Sequence, residues 1–430
     1  MRARRLFAVA LAFATALAVF TATRSDERAA AGPPRVGGLN ALAVRPEADT
    51  DALIARLQAD VRCGRTDRAA ALAAAYLQKV RETGDAGFYT RADALLRQAL
   101  ARDPRDQQTL VQAATLAAAR HDFRGALRLA RRAAAAQPGT LAPLPITVDA
   151  LVELGRYGAA ERTLQRLVDL KPNLAAYARV SYFRELTGDL PGAIEAMRRA
   201  VAAGGPVPEN VAYVQSLLGG LEFARGDLRA ARHAYDAALA AMPAYAPAAA
   251  GRARLAAATG DLPGAVARWQ RVVQRLPLPE YVIALGETEL ATGRTTAGRR
   301  DLALVRAQHK LLAGEGVNTD SERAIYEADY GDHTYGVALA RSAWANAPSV
   351  RSADALGWAL ARSGDARGGL RWAHRALRIG SLDPSLRYHA GMTALAAGRR
   401  AEGRRDLRLA IAHGLAAQPL QLRRAREALR

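Results

Sequence analysis

Histidine, cysteine, serine and carboxylate side chains carry most catalysis and metal binding, so their spacing decides which chemistry is open to this 430-residue chain. The seven histidines stand at positions 121, 233, 309, 333, 374, 389 and 413, and none lies three or four residues from another. No single helical turn therefore carries a metal-ligating histidine pair. Cys63 is the only cysteine, which excludes an intramolecular disulfide and a cysteine-based zinc site. Its default place is as a small buried side chain. There is no G-x-x-x-x-G-K-[ST] phosphate loop, no G-x-S-x-G elbow and no H-E-x-x-H zinc pair. Serine, aspartate and histidine all occur, but their spacing assembles no triad; His374 and His389 read as exposed or partly packed on helix faces. The expectation is a protein that is not an enzyme and holds no cofactor or metal. The chemistry left is recognition by aromatic and charged side chains, and some scaffold must present them.

Composition says what that scaffold is made of. Half the residues are hydrophobic, only 6% are aromatic, and alanine, leucine and arginine dominate. That mixture favours helix over strand. The length is large for one compact domain, but a repeat array escapes the limit because each unit touches only its neighbours. The formal charge of +20 comes almost wholly from arginine, since Lys79, Lys171 and Lys310 are the only lysines. Such a charge admits nucleic acid or an anionic surface as partner; the plainer reading is arginine covering solvated helix faces.

The N-terminus reads as a targeting segment. MRARR is followed by the uncharged run Leu6–Ala22, the pattern of an export signal and nearly long enough to span a bilayer. Residues 1–23 are therefore a signal peptide or an N-terminal membrane anchor. Ala29 and Ala31 offer an A-x-A cleavage pattern, but four charged residues precede it, so both readings stand. No cysteine follows the run, which excludes a bacterial lipid anchor. Basic residues ahead of it would hold the N-terminus in the cytoplasm and send the rest outward. Residues 24–48, with Gly32, Pro33, Pro34, Gly37 and Gly38, read as a flexible linker. The expected location is the cell envelope, membrane-anchored or secreted.

The stretch LTGDLPGAIEAMRRAV at 186–201 returns as ATGDLPGAVARWQRVV at 258–273. Taking Gly188 as a register mark, equivalents appear at Gly155, Gly226, Gly260, Gly293, Gly331, Gly364 and Gly398, and further back at His121 and Gly87. Five residues after each mark all ten units carry alanine or glycine, from Ala92 and Ala126 to Gly369 and Gly403. Seven before the mark most are small again, including Ala114, Ser181, Gly219, Gly286, Gly357 and Gly391. Nine after it a larger apolar residue is common, such as Leu96, Met197, Tyr235, Trp269 or Leu407, and proline recurs seventeen after, as at Pro172 and Pro243. These columns describe two helices joined at a left-handed turn, drawn together by small residues and closed by proline. Such pairs expose an apolar side until the next pair covers it, so they must stack.

The columns, with Leu356-Gly357, Gly364-Asp365, Ala193, Ala200 and the closing Pro172 or Pro243, resemble the tetratricopeptide repeat family over about residues 67–413. The resemblance implies an all-α fold, a right-handed α-solenoid of about ten helix-turn-helix repeats, used for protein or peptide binding. The solenoid is assigned to residues 49–414 and a C-terminal capping helix to 415–430. Two longer spacings mark insertions, AGGPVPEN at 203–210 and a longer loop within 309–322. In this family the first helix of each pair lines a concave groove. The residues 13, 10 and 6 before the mark share that face, and they make Tyr182, Tyr213, Arg254, Glu287, Arg351, Asp354, Trp358 and Tyr388 the candidate partner-binding residues. Their mixed charge argues against nucleic acid, whose backbone asks for a uniformly positive surface. The arginine pairs Arg131-Arg132, Arg198-Arg199, Arg299-Arg300 and Arg404-Arg405 fall on second helices, the outer side in this family. There they could face anionic membrane or cell-wall polymer. The reading is a non-catalytic interaction scaffold of the cell envelope; the alternatives are an accessory subunit of an envelope enzyme or transporter, or a basic nucleic-acid-binding repeat protein.

Overall fold

A computed structural model of the chain describes residues 50–205 and 207–430. The signal or anchor at 1–23 and the linker at 24–48 lie outside the described residues. Among the described residues there are 22 α-helices, two short 3-10 turns and no strand. Helix α1 (Thr50–Arg62) precedes ten pairs. The first five are α2–α3 (Ala69–Thr83, Gly87–Arg102), α4–α5 (Gln107–Ala119, Phe123–Ala136), α6–α7 (Leu144–Glu153, Tyr157–Leu170), α8–α9 (Leu174–Leu186, Leu190–Ala203) and α10–α11 (Pro208–Arg225, Leu228–Ala241). The second five are α12–α13 (Ala246–Ala258, Leu262–Arg275), α14–α15 (Pro279–Ala291, Thr295–Gly314), α16–α17 (Asp320–Tyr330, His333–Asn346), α18–α19 (Val350–Arg362, Ala366–Ala376) and α20–α21 (Pro384–Ala396, Arg400–Ala412). Helix α22 (Pro419–Leu429) follows. The array is a tetratricopeptide-like α-solenoid.

The columns take the places their sizes require. Every residue five after the mark is buried, and Ser181 Oγ donates at 2.8 Å to the carbonyl of Ala193, tying one small column to the other. Where both positions are glycine the backbones themselves touch: a Cβ on Gly298 would stand 2.6 Å from the Gly286 carbonyl oxygen. Trp269 and Leu407, nine after their marks, are fully enclosed, each worth roughly 1.5–3 kcal/mol of burial. The Gly-Asp dipeptide has two jobs. Gly188 is left-handed at φ 86°, and Asp189 caps α9 by accepting from the Gly192 N–H at 3.0 Å, which satisfies an otherwise orphaned donor.

Four expectations need correction, and one, at His121, holds. In the first unit the left-handed residue is Gly84, not Gly87, which already belongs to α3. Gly331 is not left-handed; it is a site of close approach, where an added Cβ would strike the Glu327 carboxylate. His121 does take the left-handed turn, at φ 61°, without being glycine. The stretch 309–322 is mostly helix, because α15 runs on to Gly314 and leaves only residues 315–319 as loop. Cys63 is exposed rather than buried, since α1 ends at Arg62 and leaves it in the following turn.

The superhelix winds tightly enough for its second turn to rest on its first. Gly84 lies against Leu276 and Leu278. One unit later, the Asn318 N–H donates to the Arg120 carbonyl at 3.0 Å while His121 Nδ1–H donates to the Asn318 carbonyl at 2.6 Å. One further, the Tyr157 hydroxyl accepts the Val350 N–H at 2.9 Å, and a Cβ on Gly155 would come within 2.2 Å of the Pro348 carbonyl oxygen. Gly188 meets Gly380 in the same way, and His413 Nδ1–H donates to the Ala224 carbonyl at 3.2 Å. The partners are 197, 193 and 189 residues apart where hydrogen bonds join them. Units one to five thus dock their internal turns, in order, onto the connections that follow units six to ten.

Candidate partner-binding surface

Burial distinguishes the two helices of each pair. Second helices bury one stripe, as α11 does with Ala231, Ala234, Tyr235 and Ala238, the spacing of a surface helix. First helices are enclosed nearly all round: α14 is buried continuously from Tyr281 to Glu289 and α18 from Val350 to Ala359. The first helices therefore line the inside of the coil, and the stacked turns close over much of it.

The eight candidate residues are distributed through that interior. Tyr213, Glu287, Arg351, Asp354, Trp358 and Tyr388 are buried there, while Tyr182 and Arg254 are only partly covered. Their partners come from the chain itself. Tyr182 accepts from Arg351 Nη2 at 3.0 Å and donates to Glu153 Oε1 at 3.1 Å. The first contact joins opposite turns, 169 residues apart. Trp358 donates from Nε1 to Asp329 at 3.1 Å, stacks on His389 at 4.6 Å, and lies 6.0 Å from the ring of Tyr388. Asp354 Oδ2 lies 2.9 Å from Nδ1 of His389, which is buried rather than partly packed. Glu287 Oε1 accepts from the Tyr330 hydroxyl at 3.1 Å. Helix α22 packs on α20 and α21 and reaches back to α14, which fills the C-terminal part of the interior.

Tyr182 and Arg254 open into a slot of about 130 Å³ between the turns, lined also by Glu185, Ser216, Arg351 and Asp383. Burial, with Asp383 beside it, pushes the Glu185 carboxyl up to about 7, and Arg351 offsets only part of this. Burial likewise raises Asp383 against the pull of Arg351. Below that sits a bidentate ion pair, Arg179 Nε and Nη2 on Asp149 at 2.8 and 2.7 Å, with both side chains almost fully enclosed. Asp149 carried a signal in the sequence, being six before its mark, but Arg179 stands nine before the next and escaped the face that was counted. Glu185 and Asp383 escaped for another reason: they come together only through the stacking of turns.

The outer surface is basic. Arg131, Arg132, Arg198, Arg199, Arg299, Arg300 and Arg405 are exposed and Arg404 partly so. Part of that charge is already engaged, as where Arg198 pairs with the buried Glu222 at 3.0 Å. Among the described residues no group of three or more histidine, cysteine, aspartate or glutamate side chains is placed to hold a metal ion, and no helix is long and apolar enough to cross a membrane.

No known family profile matches the sequence, and no curated protein matches it. Solved structures do resemble it distantly. The chain is similar to the Cut9–Hcn1 hetero-tetramer of APC/C (TM-score 0.35, 14% identity, covering 95% of this chain and 79% of that one). It is also similar to yeast Tom70 (0.34, 11%, 88% and 95%) and to MamA (0.30, 19%, 39% and 91%). At such scores the likenesses carry no weight of their own, and the repeat fold rests on the ten helix pairs.

Proposed function

From a tetratricopeptide-like solenoid whose first helices turn inward, we propose a non-catalytic scaffold that binds a short protein segment at the slot between its turns, in the cell envelope. One observation carries the binding reading: Tyr182 and Arg254, an aromatic from the fourth unit and a cation from the sixth, both line the slot and stay partly exposed, while the other six candidates are buried. An aromatic anchor beside charged groups that fix register is the usual make-up of a peptide-binding hot spot. The envelope location is supported by the basic start and apolar run of the N-terminus. Exposed arginine pairs on the second helices favour an additional contact of the outer face with anionic lipid or cell-wall polymer, testable by vesicle binding at low salt.

The test is photo-crosslinking in cells from a reactive residue placed at position 254 and, separately, at position 131. The proposal expects a discrete protein adduct from 254 that Tyr182→Ala abolishes, and none from 131. Adducts from 131 alone would move the binding surface to the outside.

A further inference from the structure

A second, partly open cavity lies between the first turn and the second, away from the Tyr182 slot. Its volume is about 450 Å³, and its walls come from α2, the start of α3, α10, and the connections leading into α12, α14 and α16. That size falls in the range of small-molecule pockets. Leu276, Leu278 and Leu312 supply an apolar floor, and the rings of Tyr213, Tyr245 and Tyr281 line the sides. Seven charged side chains border it; Lys79 is paired with Asp51 and Glu82, and Arg275, Glu280 and Glu322 have partners of their own. Arg81 and Glu209 remain, of opposite sign and in no ion pair among the described residues. Arg81 makes one long contact, from Nη1 to the Leu77 carbonyl at 3.4 Å, and its buried Nε–H has no acceptor among the described residues. Burial lowers the pKa of Arg81, with Glu209 as the first charge opposing that. Glu209 accepts from Gln78 Nε2 at 3.1 Å. A buried guanidinium at a cavity wall, near carboxylates but in no ion pair and with Nε–H unsatisfied, is costly unless something completes it.

We propose that this cavity binds a small zwitterion with an apolar body, of dipeptide size, whose carboxylate is held by Arg81 and whose ammonium is held by Glu209. The tyrosine rings suit both the apolar body and the cationic end. A simple anion would stand against Glu209, and a simple cation would stand against Arg81; a zwitterion satisfies both. The site needs both superhelical turns, because Arg81 and Glu209 come from the first, in units one and five, while Leu276, Leu278 and Leu312 come from the second. Its lining shares no residue with the protein-binding slot, although α10 contributes to both.

The experiment is titration calorimetry of the full chain with leucyl-leucine, its C-terminal amide and its N-acetyl derivative. Leucyl-leucine is expected to bind, and each blocked form to bind about tenfold more weakly, the size of one lost charge-assisted hydrogen bond. Arg81→Met should erase the preference for free acid over amide while keeping that for free amine. Glu209→Gln should do the reverse, so a variant that merely misfolds is recognised by losing both. Equal binding of all three compounds, binding unchanged in both variants, or no heat at millimolar concentration would each overturn the proposal.

Discussion

Single residues show whether the turns truly touch. Gly155 and Gly260 are both left-handed, at φ 67° and 87°, yet only Gly155 has a neighbour, the Pro348 carbonyl of the next turn. Alanine at either position meets a backbone cost of about 1–2 kcal/mol. Gly155→Ala must in addition push the second turn away, so it should destabilise clearly more than Gly260→Ala in parallel denaturant melts. Equal losses would mean that nothing stands above Gly155. Two titrating groups give a second check. His121, buried at the turn, has its pKa lowered from 6.5 to about 4 by desolvation, against the pull of its hydrogen bond to Asn318. The unfolded state then binds more protons, so this stability is present above pH 6.5 and is lost as pH falls toward 4. Glu185 runs the other way: raised from 4.5 to about 7, it favours folding below pH 4.5, a contribution lost as pH rises through 7. Glu185→Gln should therefore flatten the upper limb of the pH–stability curve and leave the acid limb unchanged.

At the scale of helices, most of the unit was legible. Small residues five after and seven before the mark can only mean close packing, and the structure puts Gly286 against Gly298 and Ser181 against Ala193. The Gly-Asp step was legible as a turn and proved also to be a cap at Asp189. What failed to show were positions where geometry and letter part company. His121 performs a glycine's role, and Gly331 is a glycine for the sake of Glu327 rather than for a positive φ. A further prediction belongs here. Glycine to alanine inside a helix ordinarily stabilises by about 1 kcal/mol. Gly298→Ala should instead destabilise, because the new methyl meets the Gly286 carbonyl oxygen at 2.6 Å and a backbone oxygen cannot swing aside. A gain in melting temperature for that variant would show that α14 and α15 are further apart than described.

The whole molecule is where sequence said least. A solenoid read from its repeats is a one-dimensional object, each unit knowing only its neighbours. Here units five apart also meet, and the residues that join them, such as Tyr157 with Val350 and His413 with Ala224, follow no column. Their pairing is set by the small rotation between successive units, summed over a whole turn, which no local pattern records. The same closure explains why six of the eight candidate residues face inward yet meet this chain instead of a partner. It also makes unfolding cooperative across both turns. All four tryptophans, at 269, 344, 358 and 372, lie in the second half of the chain. An open array would let their fluorescence change at a different denaturant concentration from the helical signal of the whole; stacked turns make the two transitions coincide. The most direct measurement is a cross-link over the seam, where Arg124 donates to the carbonyls of Ala345 and Asn346 at 2.8 and 3.0 Å across more than two hundred residues. In the full chain carrying Cys63→Ser, Arg124→Cys and Asn346→Cys, a short bis-maleimide should close a loop within each molecule in high yield. The same reagent should leave a pair at Arg124→Cys and Arg268→Cys unlinked. Failure of the first pair to link in a folded protein would contradict the stacked coil and leave an open groove in its place.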